Sequence, residues 1–205
     1  MKKTLLLVLL GTSVLMSSCS SPRLTVVIAP DYEAYLKGEN VLSSLDKTLA
    51  FGRGRFMDKR KDPSYVGFFS GVGNATLVYT DQTADDILFE GLKNIFTRSG
   101  HRWADPPDTD VLIDIILQEM VATEGMLPAT RTQTAKARLD VQLSFVNSAT
   151  DRVFYTSSYS GSSTRPYDVK ERVQMAIISC MDNVGNDLKL ARAIIAHFKS
   201  ASEPN

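Results

Sequence analysis

The residues able to do chemistry are few and badly spaced for it. The chain has two histidines, His101 and His197, and neither stands in a metal-ligand or acid–base spacing. His101 follows a predicted helix end, where a cation suits the dipole, and His197 is expected at an exposed C-terminal position. Acidic pairs occur at Asp85-Asp86 and at Asp105, Asp108 and Asp110. The first belongs to a helix start and the second to a Pro106-Pro107 loop, so capping and turn chemistry account for both. The serines between Ser157 and Ser163 lie in no Gly-x-Ser-x-Gly elbow; with Tyr155 and Tyr159 they read as the wet face of a strand. Gly67, Gly71 and Gly73 are not followed by the Lys-Ser/Thr of a phosphate-binding loop. Cys180 sits on the apolar stripe of a helix and reads as a small buried hydrophobe. The chain is therefore expected not to be an enzyme, and to need no metal or cofactor.

What the sequence does offer is an address. Met1-Lys2-Lys3 is a positive start, Thr4 to Met16 an apolar run shorter than the roughly 20 residues of a spanning helix, and Ser17-Ser18 supply small residues before Cys19. Leu15-Met16-Ser17-Ser18-Cys19 resembles the signal of bacterial lipoproteins. That resemblance implies cleavage after residue 18, and N-acyl and S-diacylglycerol lipid on Cys19. With Ser20 instead of Asp after the cysteine, it also implies a destination in the inner leaflet of the outer membrane, facing the periplasm. One acyl chain holds only reversibly, and three hold firmly.

Charge excludes another class. Losing Lys2 and Lys3 from 23 basic and 23 acidic residues leaves a net charge of about −2. No nucleic-acid partner is expected.

The strongest surface signal is the basic group Arg53, Arg55, Lys59, Arg60 and Lys61, followed by Tyr65, Phe68 and Phe69. Cations beside aromatics suit anionic lipid head groups or an acidic partner, so this segment is the candidate partner or head-group contact. Reversing Arg53, Arg55 and Arg60 to Glu would then weaken association and leave the fold intact. The alternative to a partner-binding role is an apolar-ligand carrier, which would need a cavity lined by Leu92, Phe96, Leu143 and Phe145.

These residues need a frame. Leu24 to Ala29 is a β-branched run ended by Pro30, joined to Cys19 by a tether of about 14 Å at most. Lys47 to Met57 predicts a second strand, weakened by Gly52 and Gly54, and Ala75 to Thr80 can form a further short one. A helix runs from the Thr83 cap to Gly100, with Asp85 and Asp86 in its first turn and Ile87, Leu88, Leu92, Ile95 and Phe96 on one face. Asp110 to Met120 predicts a strand, Gly125 to Gln133 a loop, and Ala135 to Asn147 a strand alternating Ala137, Leu139, Val141, Leu143 and Phe145 against polar residues. This strand turns at 148–151 into Val153 to Ser160 as an antiparallel hairpin. Asp168 caps a final helix whose stripe runs from Val169 to Phe198, with a kink or break at Gly185.

Strand, strand, helix, three strands, helix fits an α+β fold: a mostly antiparallel sheet with two main helices packed on one face. The expected organisation is a signal over 1–18, a lipidated tether over 19–23, one periplasmic domain over 24–199 and a polar tail over 200–205. On Cys19, on Asp58-Lys59-Arg60 before Val66-Gly67, on the Asp86 to Gly100 helix with Leu92, and on the strand and hairpin from Val111 to Gly161, the chain resembles the YajG-type family of periplasmic lipoproteins. The resemblance implies a fold and a compartment, and no reaction. Its leading reading is a membrane-anchored scaffold or accessory subunit that meets an envelope protein through a sheet edge or the basic-aromatic loop.

Overall fold

A computed structural model describes residues 21–36, 38–45, 49–70, 75–127, 132–164 and 168–200. Cys19 and the signal segment lie outside the described residues, as do Gly71 and Gly73. Among those described, the elements in order are β1 (Arg23–Thr25), α1 (Tyr32–Tyr35), a 3-10 turn (Val41–Ser44), β2 (Ala50–Asp58), β3 (Tyr65–Ser70), β4 (Ala75–Tyr79), α2 (Ala84–Arg98), β5 (Arg102–Trp103), β6 (Val111–Leu127), β7 (Thr132–Asn147), β8 (Arg152–Ser163), α3 (Val169–Gly185) and α4 (Leu188–Ser200).

All the strands join one sheet, and β6 is its spine. One edge of β6 pairs with β7 along its whole length, from Val111↔Asn147 to Leu127↔Thr132. Its other edge is shared: β2 pairs in parallel with Phe51↔Val111 through Asp58↔Leu117, and β3 then takes over at Gly67↔Ala122. Outward from β3 come β4 and β1; outward from β2 comes β5. The long ladders β6–β7 and β7–β8 are antiparallel, so the fold is α+β with a mostly antiparallel sheet, as expected.

The alternation read in β7 sets the buried face. Leu139, Val141, Leu143 and Phe145 are at most 2% exposed, matched on β6 by Ile113, Ile115 and Leu117. Burial of each such side chain contributes about 2 kcal/mol. Against this face lie α3, over β6 to β8, and α2 beside it against β2 and β5. α3 approaches β8 so closely that a Cβ on Gly161 would stand 1.9 Å from the Ala176 carbonyl oxygen; only glycine fits there.

Local signals explain the helix ends. The Asp168 carboxylate accepts the Glu171 N–H at 2.8 Å. The final stripe does break after Gly185: the N–H of Asn186 closes α3 on the Asp182 carbonyl. Asp187 Oδ1 then accepts the N–H groups of Lys189 and Leu190, opening α4. Thr83 holds the cap position of α2, but its hydroxyl donates to Asp86 at 2.5 Å and caps no backbone N–H. At the β7–β8 turn, Asn147 Oδ1 accepts the N–H groups of Ala149 and Thr150. Asp151 completes it at φ 53, a region that Asp tolerates.

Three expectations need correction. The run read from Leu24 to Ala29 is strand only over Arg23–Thr25. The loop placed over 125–133 is largely ladder, because backbone pairing with β7 carries β6 to Leu127 without requiring the apolar alternation that marks a strand in sequence. His197 is half-buried, stacked on Phe154 at 4.5 Å and hydrogen-bonded to Asn147 at 2.8 Å.

Candidate partner-binding surface

The turn from β2 into β3 is folded around a guanidinium. Asp58, at the end of β2, accepts from the Arg60 backbone N–H at 2.9 Å, from Nε at 3.0 Å and from Nη2 at 2.7 Å. Arg60 also donates to the carbonyls of Pro63 and Tyr65, and the Asp62 carboxylate accepts the N–H and hydroxyl of Ser64. Burial alone would raise the Asp58 carboxyl, but the hydrogen bonds and charge of Arg60 outweigh it and hold the group below its ordinary value. Asp62 is held low mainly by the Ser64 hydroxyl.

The two arginines on β2 are likewise committed within the chain. Arg53 reaches Asp85 at 3.0 Å and Asp86 at 3.1 Å, at the start of α2, and lies 4.7 Å over the Phe89 ring. Asp86 is pushed down by the Thr83 hydroxyl first and by Arg53 second. Arg55 stands 3.4 Å from both Asp114 and Asp151, and its backbone N–H donates to Asp114 at 2.7 Å. That bond fills the register shift between Arg53 and Phe56. A Cβ on Gly54 would stand 2.3 Å from the same carboxylate, so glycine lets Asp114 approach.

The basic group therefore divides. Arg53 and Arg55 meet carboxylates from α2, β6 and the β7–β8 turn, and Arg60 meets Asp58 within its own turn, so reversing all three would break intrachain pairs and cost stability. Lys59 and Lys61 are exposed and, among the described residues, form no ion pair.

The aromatic half also sorts itself. Phe69 packs against the core and Phe68 is half-buried. Tyr65 turns the other way, onto Tyr79 of β4, with ring centroids 5.8 Å apart, and the Arg23 guanidinium lies 5.2 Å over the Tyr79 ring. Val66 and Val78, their neighbours in sequence, are buried on the opposite face. Arg23, Tyr79 and Tyr65 thus form a row across β1, β4 and β3 that ends beside Lys59 and Lys61. Burial, then the neighbouring Tyr79, raises the Tyr65 hydroxyl. Between the turn and β6 lies a cleft of about 740 Å³, with Lys59, Lys61, Tyr65, Gln118 and Val121 on its walls. Sequence reasoning reached Tyr65 and the lysines but missed Arg23 and Tyr79, whose place depends on β1 and β3 flanking β4.

The other groups that could do chemistry serve packing. His101 is 4% exposed, with Nε2 3.0 Å from the Leu42 carbonyl and its ring against Phe51. Asp110 accepts the Ala50 N–H at 2.7 Å. Tyr155 and Tyr159 both donate to Asp187 Oδ2, at 2.8 and 2.7 Å. Cys180 is fully buried, its thiol pushed up to about 12 by burial and then by Asp140. Leu92, Phe96, Leu143 and Phe145 are at most 1% exposed. Phe96 stacks on Phe51 at 4.0 Å and meets Phe145 edge-on at 6.4 Å. These contacts occupy the place where a carrier would need a cavity.

No family model matches the sequence, and no curated protein does. The structure resembles solved ones. A DUF330 protein from Xanthomonas campestris matches with a TM-score of 0.55 at 13% identity, over 88% of this chain and 99% of that one. A hemagglutinin homolog from Helicobacter pylori matches at 0.46 and 10% identity, covering 85% and 98%. PelC from Paraburkholderia phytofirmans matches at 0.45 and 6% identity, covering 70% and 92%. At these identities the first establishes a shared fold and nothing about activity.

Proposed function

We propose that this chain is a non-catalytic lipoprotein of the cell envelope, of the YajG type, held through acyl chains on Cys19 in the inner leaflet of the bacterial outer membrane. In the periplasm it serves as a scaffold or accessory subunit of an envelope assembly. The observation that carries this reading is how near to Cys19 in sequence the sheet makes a contact. The Pro22 carbonyl already accepts the Leu77 N–H at 2.9 Å, so only Ser20 and Ser21 separate the cysteine from a residue bound to the sheet. A body tied so closely lies against the bilayer.

The Arg23–Tyr79–Tyr65 row starts at this same point and leads to Lys59 and Lys61. Tyrosines favour the head-group layer, and each cation there contributes about 1 kcal/mol on an anionic surface. The commitment of His101, His197, Asp110 and Cys180 to contacts within the chain supports a binding role over a chemical one.

The test is metabolic labelling of cells with radiolabelled palmitate, followed by membrane fractionation. The full chain is expected to be labelled and to fractionate with the outer membrane, and Cys19→Ser to be unlabelled and released. An unlabelled parent chain would remove the anchor. Native mass spectrometry of the gently extracted protein separates the two roles: a bound protein of defined mass supports the scaffold, and a recurring lipid-sized adduct beyond the anchor supports the apolar-ligand carrier.

A further inference from the structure

The sheet ends, on the side away from β1, in an edge strand built for another strand. β8 runs from Arg152 to Ser163 and, among the described residues, pairs only with β7. Twelve residues at about 3.4 Å each give an edge of about 40 Å. Protein edges of this length are usually blunted by Lys, Pro or an inward charge. From Val153 to Thr164 there is no charged residue and no proline, although 22% of the whole chain is charged. Thr156, Ser158, Ser160 and Ser162 are exposed, and side chains so short allow a close neighbour. Among the described residues, Asn183 of α3 bonds this strand's backbone, donating to the Ser160 carbonyl at 2.8 Å.

We infer that β8 pairs antiparallel with β8 of a second copy, about a two-fold axis normal to the sheet. This closed arrangement brings the two ends of the strand together. At one end is Arg152, exposed and without an ion pair in the described chain. It pairs across the ladder with Asn147, whose side chain meets His197 of α4, so Arg152 lies on the helix-bearing face. At the other end a cleft of about 520 Å³ opens on that same face, beside Ser162 and Ser163, walled by Tyr35, Met175 and Asp182. Tyr35 is 47% exposed, and Asp182 is exposed with no cation on it among the described residues. Arg138, which pairs with Ser162, is held by Glu119 and Asp140 on the opposite face. In the two-fold pair Arg152 of each copy enters the other's cleft, its aliphatic stem along Met175 and Tyr35 and its guanidinium on Asp182. The edge therefore fits its own copy, in both charge and shape.

The test is the mass and concentration dependence of the full chain in mild detergent, by sedimentation. A dimer is expected, weakened at least tenfold by Arg152→Glu and by Asp182→Arg singly and restored when both are combined, because the swap rebuilds the pair with its signs exchanged. Ser158→Cys and Ser160→Cys, each alone, are expected to include one that crosslinks to twice the chain mass under oxidant. A monomer throughout, or a dimer indifferent to the single charge changes, would overturn the inference. The charge-swap outcome does not depend on Cys19, so it is read separately from the labelling result.

Discussion

Arg60 and Asp58 meet at 2.7 Å inside the turn that they frame, with 7% and 13% of their side chains exposed. Removing one partner strands the other charge, and Arg60→Met is expected to cost about 3 kcal/mol at neutral pH. The folded Asp58 carboxyl lies below its unfolded value of about 3.9. Its contribution is therefore complete above that value and lost as pH falls through the lower, folded one. In urea unfolding the gap between parent and variant should narrow below about pH 4. A gap unchanged down to pH 2 would show that Asp58 is not the group responsible.

Tyr159→Phe removes one of the two phenol donors to Asp187. Burial raises the Asp187 carboxyl, but Tyr159, Tyr155 and the N–H groups of Leu190 and Lys189 more than offset this and hold it low. A hydrogen bond to a charged acceptor is worth about 2 kcal/mol, and that loss is expected in the unfolding midpoint. Since Asp187 joins α3 to α4, amide exchange should quicken in α4 before α3. Uniform quickening would mean that Asp187 does not hold the corner.

Cys180 is expected to resist thiol reagents in the folded chain, because its thiol is raised to about 12 and Gly161 of β8 lies against it. Ellman's reagent should react with this thiol at the rate of unfolding, and in the Cys19→Ser background the signal is Cys180 alone. Fast labelling under native conditions would show that α3 lifts from β8.

Replacing Lys59 and Lys61 together by Glu is expected to lower the affinity of the full chain for vesicles with anionic lipid by about 1 kcal/mol per charge, with no change in thermal midpoint. Salt should erase most of the difference. If the double variant binds as the parent does, the Tyr65–Tyr79 row does not face head groups.

The elements with a strong local period were legible in the sequence: α2 from its acidic first turn and stripe, the β7–β8 hairpin from alternation, and the break after Gly185. What escaped is set by distance along the chain. The parallel pairing of β2 with β6 leaves no local mark, nor does the sharing of one β6 edge between β2 and β3. The basic group shows the same limit. Arg53, Arg55 and Arg60 are near one another in sequence and read as a patch, yet the acids that hold the first two arrive from α2, β6 and the β7–β8 turn. Asp58 lay beside Arg60 in plain view, but nothing in the spacing marks the pair as buried. Arg23 and Tyr79 were invisible as partners because their proximity is a property of the sheet order.

That sheet order also constrains the sequence of assembly. β6, β7 and β8 follow one another through short connections, and α3 comes directly after, so the C-terminal half can form from contacts cheap in loop entropy. β2 has no such option: it waits some sixty residues for β6 (Phe51↔Val111), whereas β3 can first pair with the adjacent β4. A chain made N-terminus first thus exposes β2 early and gives it a template late, which makes residues 50–58 the segment most in need of a holding chaperone.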